Sequence, residues 1–144
     1  MNTNIRSLRG QVDAGSKRRI IVDDGMFTHG YKVLEFHIFG SDVSSGAIDC
    51  TGTLALDEDG ALEDWNAGDN RQIAWAGFTQ STSYAPLFIK SIVDPNHIVL
   101  TDLFVSAFSN ASAPVNYLVV IEPITLTEPQ GIMTLIKERA QDDL

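Results

Sequence analysis

Several features that usually define a chemical activity are scarce in this sequence. It contains one cysteine, Cys50, so a single chain can form neither an internal disulfide nor a zinc site built from several cysteines. No apolar run approaches the roughly 20 residues of a membrane-spanning helix, and we expect no contact with a membrane. No apolar segment follows the first basic residues, so we expect no secretory signal peptide. Motifs for nucleotide binding and for a serine-hydrolase nucleophile are also missing, so the motifs indicate neither activity.

The composition is typical of one globular domain. The 144 residues are 44% hydrophobic and 20% charged, which argues against disorder. The net charge of −9 is unevenly distributed, because residues 1–19 carry +4 and the remaining residues carry −13. This split predicts a flexible basic N-terminal arm over residues 1–19, in which Gly10 and Gly15 break any helical pattern. An acidic body repels phosphate, so we expect the arm to contact a neighbouring subunit, with nucleic-acid contact as the less favoured alternative.

The central part of the chain shows the patterns of β-strands. Short β-branched and apolar runs are separated by turn residues at fairly regular intervals. The predicted strands are 18–22, 31–39, 47–56, 71–78, 87–93, 97–108, with a break near Thr101 and Asp102, and 115–126. In the second of these strands, alternation places Leu34, Phe36 and Ile38 on one face. Because helices do not alternate with strands, the pattern predicts an antiparallel β-sandwich or barrel over residues 20–126.

A helix signal closes the chain. Thr127 and Gln130 have the spacing of a capping box, and Pro129 lies in the first turn, where its missing N–H is harmless. One helical stripe contains Ile132, Leu135, Ile136 and Ala140. We therefore predict a short amphipathic helix at about 128–141, within a C-terminal segment spanning 127–144.

The stretch IIVDDGMFTHGYKVLEFHIF (20–39) is the densest group of potential metal ligands. Its carboxylates and imidazoles, which zinc, manganese or iron use, are those of Asp23, Asp24, His29, Glu35 and His37. Only Glu35 and His37 share a strand face by spacing alone, and Asp-Asp-Gly is typical of a tight turn. We therefore favour a turn, a loop histidine and a mixed strand face over a metal site, and we expect no cofactor.

Three other groups have both a functional and an ordinary structural interpretation. The acidic loop 57–70 offers calcium ligands, but its spacing does not match the EF-hand pattern, so a solvated loop is favoured. Cys50 lies on the apolar face of its strand, which indicates a buried core residue rather than a nucleophile. The aromatic side chains suit a carbohydrate-stacking platform, although core or subunit contact is favoured. They are Trp65, Trp75, Tyr84, Phe88, Phe104 and Tyr117.

Four segments of the chain resemble those of small proteins encoded by viruses of marine bacteria. The segments are IIVDDGMFTHGYKVLEFHIF, DNRQIAWA, VDPNHIVLTDLFVSA and NYLVVIEPITLTEPQGIMTLIKERAQDD. The resemblance covers most of the chain from about Ile20 onward. It implies a virion structural protein, either a capsid protein, a capsid-stabilising cement protein or a related shell component. A jelly-roll-like form of the antiparallel β-sandwich suits that role, and we expect it for this chain. It implies no catalytic residue and no ligand-binding residue.

We therefore expect a non-enzymatic virion protein, made in the host cytoplasm, whose partners are copies of itself and other virion proteins. The expected contact residues are Arg6, Arg9, Arg18 and Arg19 of the arm and Ile132, Leu135 and Ile136 of the helix. Deleting the arm should weaken assembly and leave the fold nearly intact. One alternative is a carbohydrate- or receptor-binding β-sandwich module with Trp65 beside bound calcium. The other is a small metal-dependent β-barrel enzyme that uses His29, Glu35 and His37.

Overall fold

The computed structural model describes residues 5–21, 29–61, 64–83 and 85–141. The elements are β1 (Arg6–Val12), β2 (Ser16–Ile20), β3 (His29–Gly40), a 3-10 turn (Val43–Ser45), β4 (Ile48–Ala55), β5 (Gln72–Thr82), β6 (Ala85–Val93), β7 (Leu103–Ser109), β8 (Val115–Thr125) and α1 (Glu128–Gln141). The prediction of an all-β protein with a short C-terminal helix is confirmed. The strands predicted from 31–39 onward agree with β3–β8 to within a few residues, except that the predicted strand 97–108 is a strand only after Thr101 and Asp102. Before that break, Val99 forms a single isolated bridge with Tyr31.

Two antiparallel sheets pack face to face as a sandwich, as the sequence predicts. One has the strand order β1-β8-β3, and the other has the order β2-β7-β4-β5-β6. This order is compatible with a jelly roll, because the chain alternates between the sheets from β1 to β4 and again from β7 to β8. β6 stays beside β5, and an isolated bridge between Tyr31 and Val99 places the segment after β6 next to β3.

The core lies between the two sheets and is formed by the inward faces of the strands. Phe36, Leu54 and Val119 are completely buried there. Gly52 of β4 lies directly against β3, and a Cβ atom at this position would be 2.8 Å from Ile38 Cγ2. Only glycine therefore lets these two strands approach so closely.

A β-bulge in β3 changes which side chains face the core. The register against β8 shifts by one residue between Val33 and Glu35. As a result, Val33 and Phe36 are both buried, whereas Leu34 is 38% exposed. The prediction that Leu34 shares the inward face with Phe36 and Ile38 is therefore wrong, because the bulge interrupts the two-residue alternation.

The prediction of a flexible basic arm over residues 1–19 is wrong for the described part of that range. β1 pairs with β8 in one sheet, and β2 pairs with β7 in the other. Val12 and Ile20 are buried in the core. Apolar residues are sparse in β1 and β2 because both are edge strands, and backbone hydrogen bonds to their neighbours hold them in place. The sandwich therefore begins at Arg6 rather than at residue 20, and residues 1–4 lie outside the described chain.

The helix α1 agrees with the predicted span and cap. The Gln130 N–H donates to Thr127 Oγ1 at 3.3 Å, and the Thr127 N–H donates to Gln130 Oε1 at 3.1 Å. These two bonds satisfy backbone donors that the first helical turn would otherwise leave without partners. Within the described ranges, no helix is both long and apolar enough to cross a membrane.

Candidate functional site

The helix α1 turns its apolar side away from the sandwich. Gly131 is buried, and Thr134 is half-buried and lines a cavity of the body. On the other side, Ile132 is 47% exposed, Met133 67% and Ile136 61%. These three residues form the apolar helix face; the predicted stripe also contains Leu135, whose side chain lies outside the described structure. A helix normally buries its apolar stripe, so this orientation leaves a surface available for a partner.

The four predicted contact arginines lie on one side of the sandwich, where the edge strands β1 and β2 meet; they are Arg6, Arg9, Arg18 and Arg19. All four are exposed. The Arg18 guanidinium donates to the Gln11 carbonyl oxygen at 2.9 Å, and Arg19 forms an ion pair with the buried Asp102 carboxylate. We call this side the basic edge. It replaces the predicted arm as the location of the N-terminal positive charge.

The outer face of the five-stranded sheet carries most of the aromatic residues proposed as a platform. Trp75, Phe88 and Phe104 point outward from β5, β6 and β7. Trp65 lies over Gly77, and a Cβ atom on Gly77 would be 3.7 Å from Trp65 Cη2. Phe88, Ile92 and Phe108 are 49%, 44% and 47% exposed and form what we call the apolar sheet face, which also carries the exposed Lys90 between Phe88 and Ile92. Tyr117 instead lies in the core, and Tyr84 lies outside the described residues.

Among the proposed metal ligands that the structure describes, His29 lies apart from Glu35 and His37. In β3, His29 is paired with Thr125 at one end of the sheet, whereas Glu35 is paired with Val120, five residues along β8. His37 Nε2 lies 3.2 Å from Glu35 Oε1, so only this exposed pair is close. Asp23 and Asp24 lie outside the described residues. In the described ranges, no three His, Cys, Asp or Glu side chains cluster tightly enough to hold a metal ion.

Carboxylates of the acidic loop 57–70 hold the loop in shape. Asp57 Oδ1 accepts a hydrogen bond from the Gly60 N–H at 2.7 Å. The two carboxylate oxygens of Asp69 accept hydrogen bonds from the Arg71 side chain at 2.9 and 2.8 Å. These hydrogen bonds from Arg71 lower the pKa of Asp69, because they stabilise its ionised form. Both carboxylates thus have an ordinary structural role in this loop.

Cys50 is the buried core residue that the sequence predicts. Its side chain is 2% exposed, and Sγ lies 3.6 Å from Ser109 Oγ. Burial raises the pKa of the thiol, which disfavours the nucleophilic thiolate.

A cavity of about 370 Å³ opens at one end of the sandwich. It lies where β4 ends, where β5 begins, at the turn after β6 and beside Thr134 in the middle of α1. Its walls include Asp69, Asn70, Trp75, Asp94 and Asn96. The sequence patterns do not predict this cavity, because its walls come from segments far apart in the chain; the segment DPN (94–96) indicates only a turn.

His97 fixes one wall of the cavity. The Val33 N–H, at the β-bulge, donates to His97 Nε2 at 3.1 Å, so Nε2 carries no proton. The Nδ1–H then donates to the Asp94 carbonyl oxygen. Burial lowers the pKa of His97, which agrees with a neutral ring in this position.

Comparison with known proteins adds no relative: no protein-family model, no curated protein and no solved structure matches the chain. The features of the molecule that bear on its function are therefore the apolar helix face, the basic edge, the apolar sheet face and the end cavity.

Proposed function

We propose that this protein is a structural subunit of a virion shell, a capsid or cement protein, that assembles by binding other copies of itself. The observation that carries this proposal is the outward orientation of the apolar helix face. Exposing isoleucine and methionine side chains on an otherwise amphipathic helix costs hydrophobic free energy, which contact with a partner recovers.

The partner surface that fits α1 best is the apolar sheet face of a neighbouring copy. A helix packs readily on a sheet when both present apolar side chains, and Phe88, Ile92 and Phe108 supply such a surface. The helix face and the sheet face are different patches of the same molecule. Their contact is therefore heterologous, and repeating it builds rings or extended assemblies rather than a closed dimer.

Charge complementarity supports contact between copies. The basic edge carries the N-terminal positive charge, while the rest of the chain is acidic and has exposed carboxylates such as Asp49 and Asp59. Exposed groups of opposite charge on one molecule favour the approach of identical subunits. The strand order is also compatible with a jelly roll, a form that is frequent in viral capsid domains.

Two double variants test the proposed contact. Ile132→Asp with Ile136→Asp changes the helix face, and Phe88→Thr with Phe108→Thr changes the sheet face while keeping good strand propensity. We expect each variant to keep its thermal transition, because the altered side chains are exposed, and to lose assembly in analytical ultracentrifugation. In an equal mixture, the intact helix face of the sheet variant can bind the intact sheet face of the helix variant. The other contact of each pair is lost, so we expect the mixture to form heterodimers and no larger assembly.

The matched control is Ser81→Asp with Ser112→Asp, which adds the same charge as the helix variant at exposed polar positions. It should assemble like the unmodified protein. Normal assembly of the helix variant, or a mixture that stays entirely monomeric, would contradict a helix-to-sheet contact.

A further inference from the structure

The end cavity has the features of a ligand site rather than of a packing defect. Its volume of about 370 Å³ lies within the usual range of small-molecule sites. Leu56, Ile73 and Ile98 contribute apolar surface to the same cavity as the polar side chains of Asp94 and Asn96. Apolar walls with a few polar groups at defined positions are the common composition of such sites.

The walls are held in place by interactions within the chain. Asp69 and Arg71 form a bidentate ion pair, and their side chains are only 9% and 16% exposed. Gln72 Oε1 accepts hydrogen bonds from the Asn66 N–H and from Trp75 Nε1–H, both at 2.9 Å. Because these bonds already order the loops, binding of a ligand would cost little conformational entropy of the protein backbone.

Two side chains at the cavity have hydrogen-bonding capacity to spare. The side-chain amides of Asn70 and Asn96 donate no hydrogen bond to the described part of the chain, and both residues are exposed. An amide offers two donors and one acceptor oxygen. A hydroxyl group both donates and accepts, so hydroxyl groups match these amides and the nearby Asp94 carboxylate.

The charge of the cavity restricts the class of ligand. Among the described residues that line it there is no lysine or arginine, and although the Asp69 carboxylate is paired with Arg71, Asp94 contributes a second carboxylate. A carboxylate that no cation of the lining faces repels phosphates and acidic sugars. Trp75 already uses its indole N–H to bond Gln72, so its ring contributes apolar surface. Aromatic rings pack well against the C–H face of a pyranose.

We propose that the end cavity binds a neutral saccharide. The amides of Asn70 and Asn96 and the Asp94 carboxylate bond its hydroxyl groups, and Trp75 packs against its C–H face. Trp75 belongs to the aromatic residues predicted as a platform, but the site lies at the end of the sandwich and not around Trp65 and calcium. The side chains assigned to the saccharide are different from those assigned to the contact between copies.

The test combines a glycan array with NMR titration of the full-length protein. The titrated probes are glucose, galactose, mannose and N-acetylglucosamine, together with glucuronic acid and inorganic phosphate. We expect at least one neutral sugar to shift the Trp75 indole N–H resonance and the side-chain amides of Asn70 and Asn96, and the two anions to shift none of them. Asn70→Ala and Asn96→Ala should each weaken binding about tenfold, in keeping with the loss of a hydrogen bond to a ligand.

Asn116→Ala is the matched control, because Asn116 lies on the three-stranded sheet, away from the cavity. It should bind like the unmodified protein. If the midpoint temperature of thermal unfolding falls markedly in an alanine variant, Trp75→Phe is used in place of that variant. Trp75→Phe keeps an aromatic ring and is also expected to weaken binding. No response to any neutral glycan, binding of anions instead, or unchanged binding in the cavity variants would overturn the proposal.

Discussion

At the scale of single residues, His97 connects the turn after β6 to the bulge in β3. The bulge directs the Val33 N–H to His97 Nε2 at 3.1 Å, instead of to a neighbouring strand. Burial lowers the pKa of His97 most, and Lys32 lowers it further, while the carbonyl and carboxylate of Asp94 raise it. A protonated ring would have no lone pair for the Val33 N–H, so the connection depends on a neutral imidazole.

This residue gives the fold a defined pH dependence. The pKa of His97 is lower in the folded chain than the ordinary value of 6.5, so the unfolded chain binds the proton first as the pH falls. The stabilising contribution of His97 to the free energy of unfolding is therefore complete above about pH 6.5. It decreases as the pH falls from there toward the pKa of His97 in the folded chain. We expect urea midpoints to decrease between about pH 7.5 and 5.5. In His97→Gln, stability at the higher pH should decrease by about 1–3 kcal/mol through the lost hydrogen bonds. The same pH slope in both proteins would contradict this role.

At the scale of elements, β1 and β2 change the expected effect of an N-terminal deletion. An irregular arm can be removed without loss of the fold, but residues 1–19 contain β1 and most of β2. Without these residues, β8 loses its pairing with β1, β7 loses most of its pairing with β2, and the core loses the Val12 side chain. We expect the truncated protein to lose its cooperative thermal transition in circular dichroism.

The control for this deletion is Arg6→Gln with Arg9→Gln, which removes charge from the basic edge but keeps the strand. This variant should retain its thermal transition. A truncated protein that unfolds as cooperatively, and at the same temperature, as the full chain would show that β1 and β2 contribute little to the sandwich.

Local sequence patterns predict some elements of the fold better than others, and the reasons are physical. α1 is predictable because its cap and its stripe are local, and the helix begins and ends where Thr127, Gln130 and the periodicity indicate. Strands β3–β8 follow from their alternation and turns. β1 is not predictable in this way, because RSLRGQV has little apolar alternation and gains its structure from pairing with β8. The bulge at Val33 likewise depends on the partner strand and on His97.

At the scale of the whole molecule, the sequence predicts some of the proposed functional surfaces and does not predict others. Ile132 and Ile136 follow from helical spacing, but their exposure depends on how α1 is placed against the body. The apolar sheet face and the end cavity combine distant segments, so no local pattern indicates them. The positive charge of the basic edge follows directly from the sequence, but the residues that carry it lie in two strands and not in an irregular arm. The proposed assembly of copies depends on the apolar helix face and the apolar sheet face, and the proposed saccharide site on the end cavity.

The most direct test of the central claim is the mass and shape of the unmodified protein, measured by light scattering and negative-stain electron microscopy across a concentration series. A heterologous contact between copies predicts oligomers that grow with concentration and appear as rings, regular oligomers or shells. A monomer of 15.7 kDa at every concentration would contradict the proposal that the chain assembles by binding copies of itself.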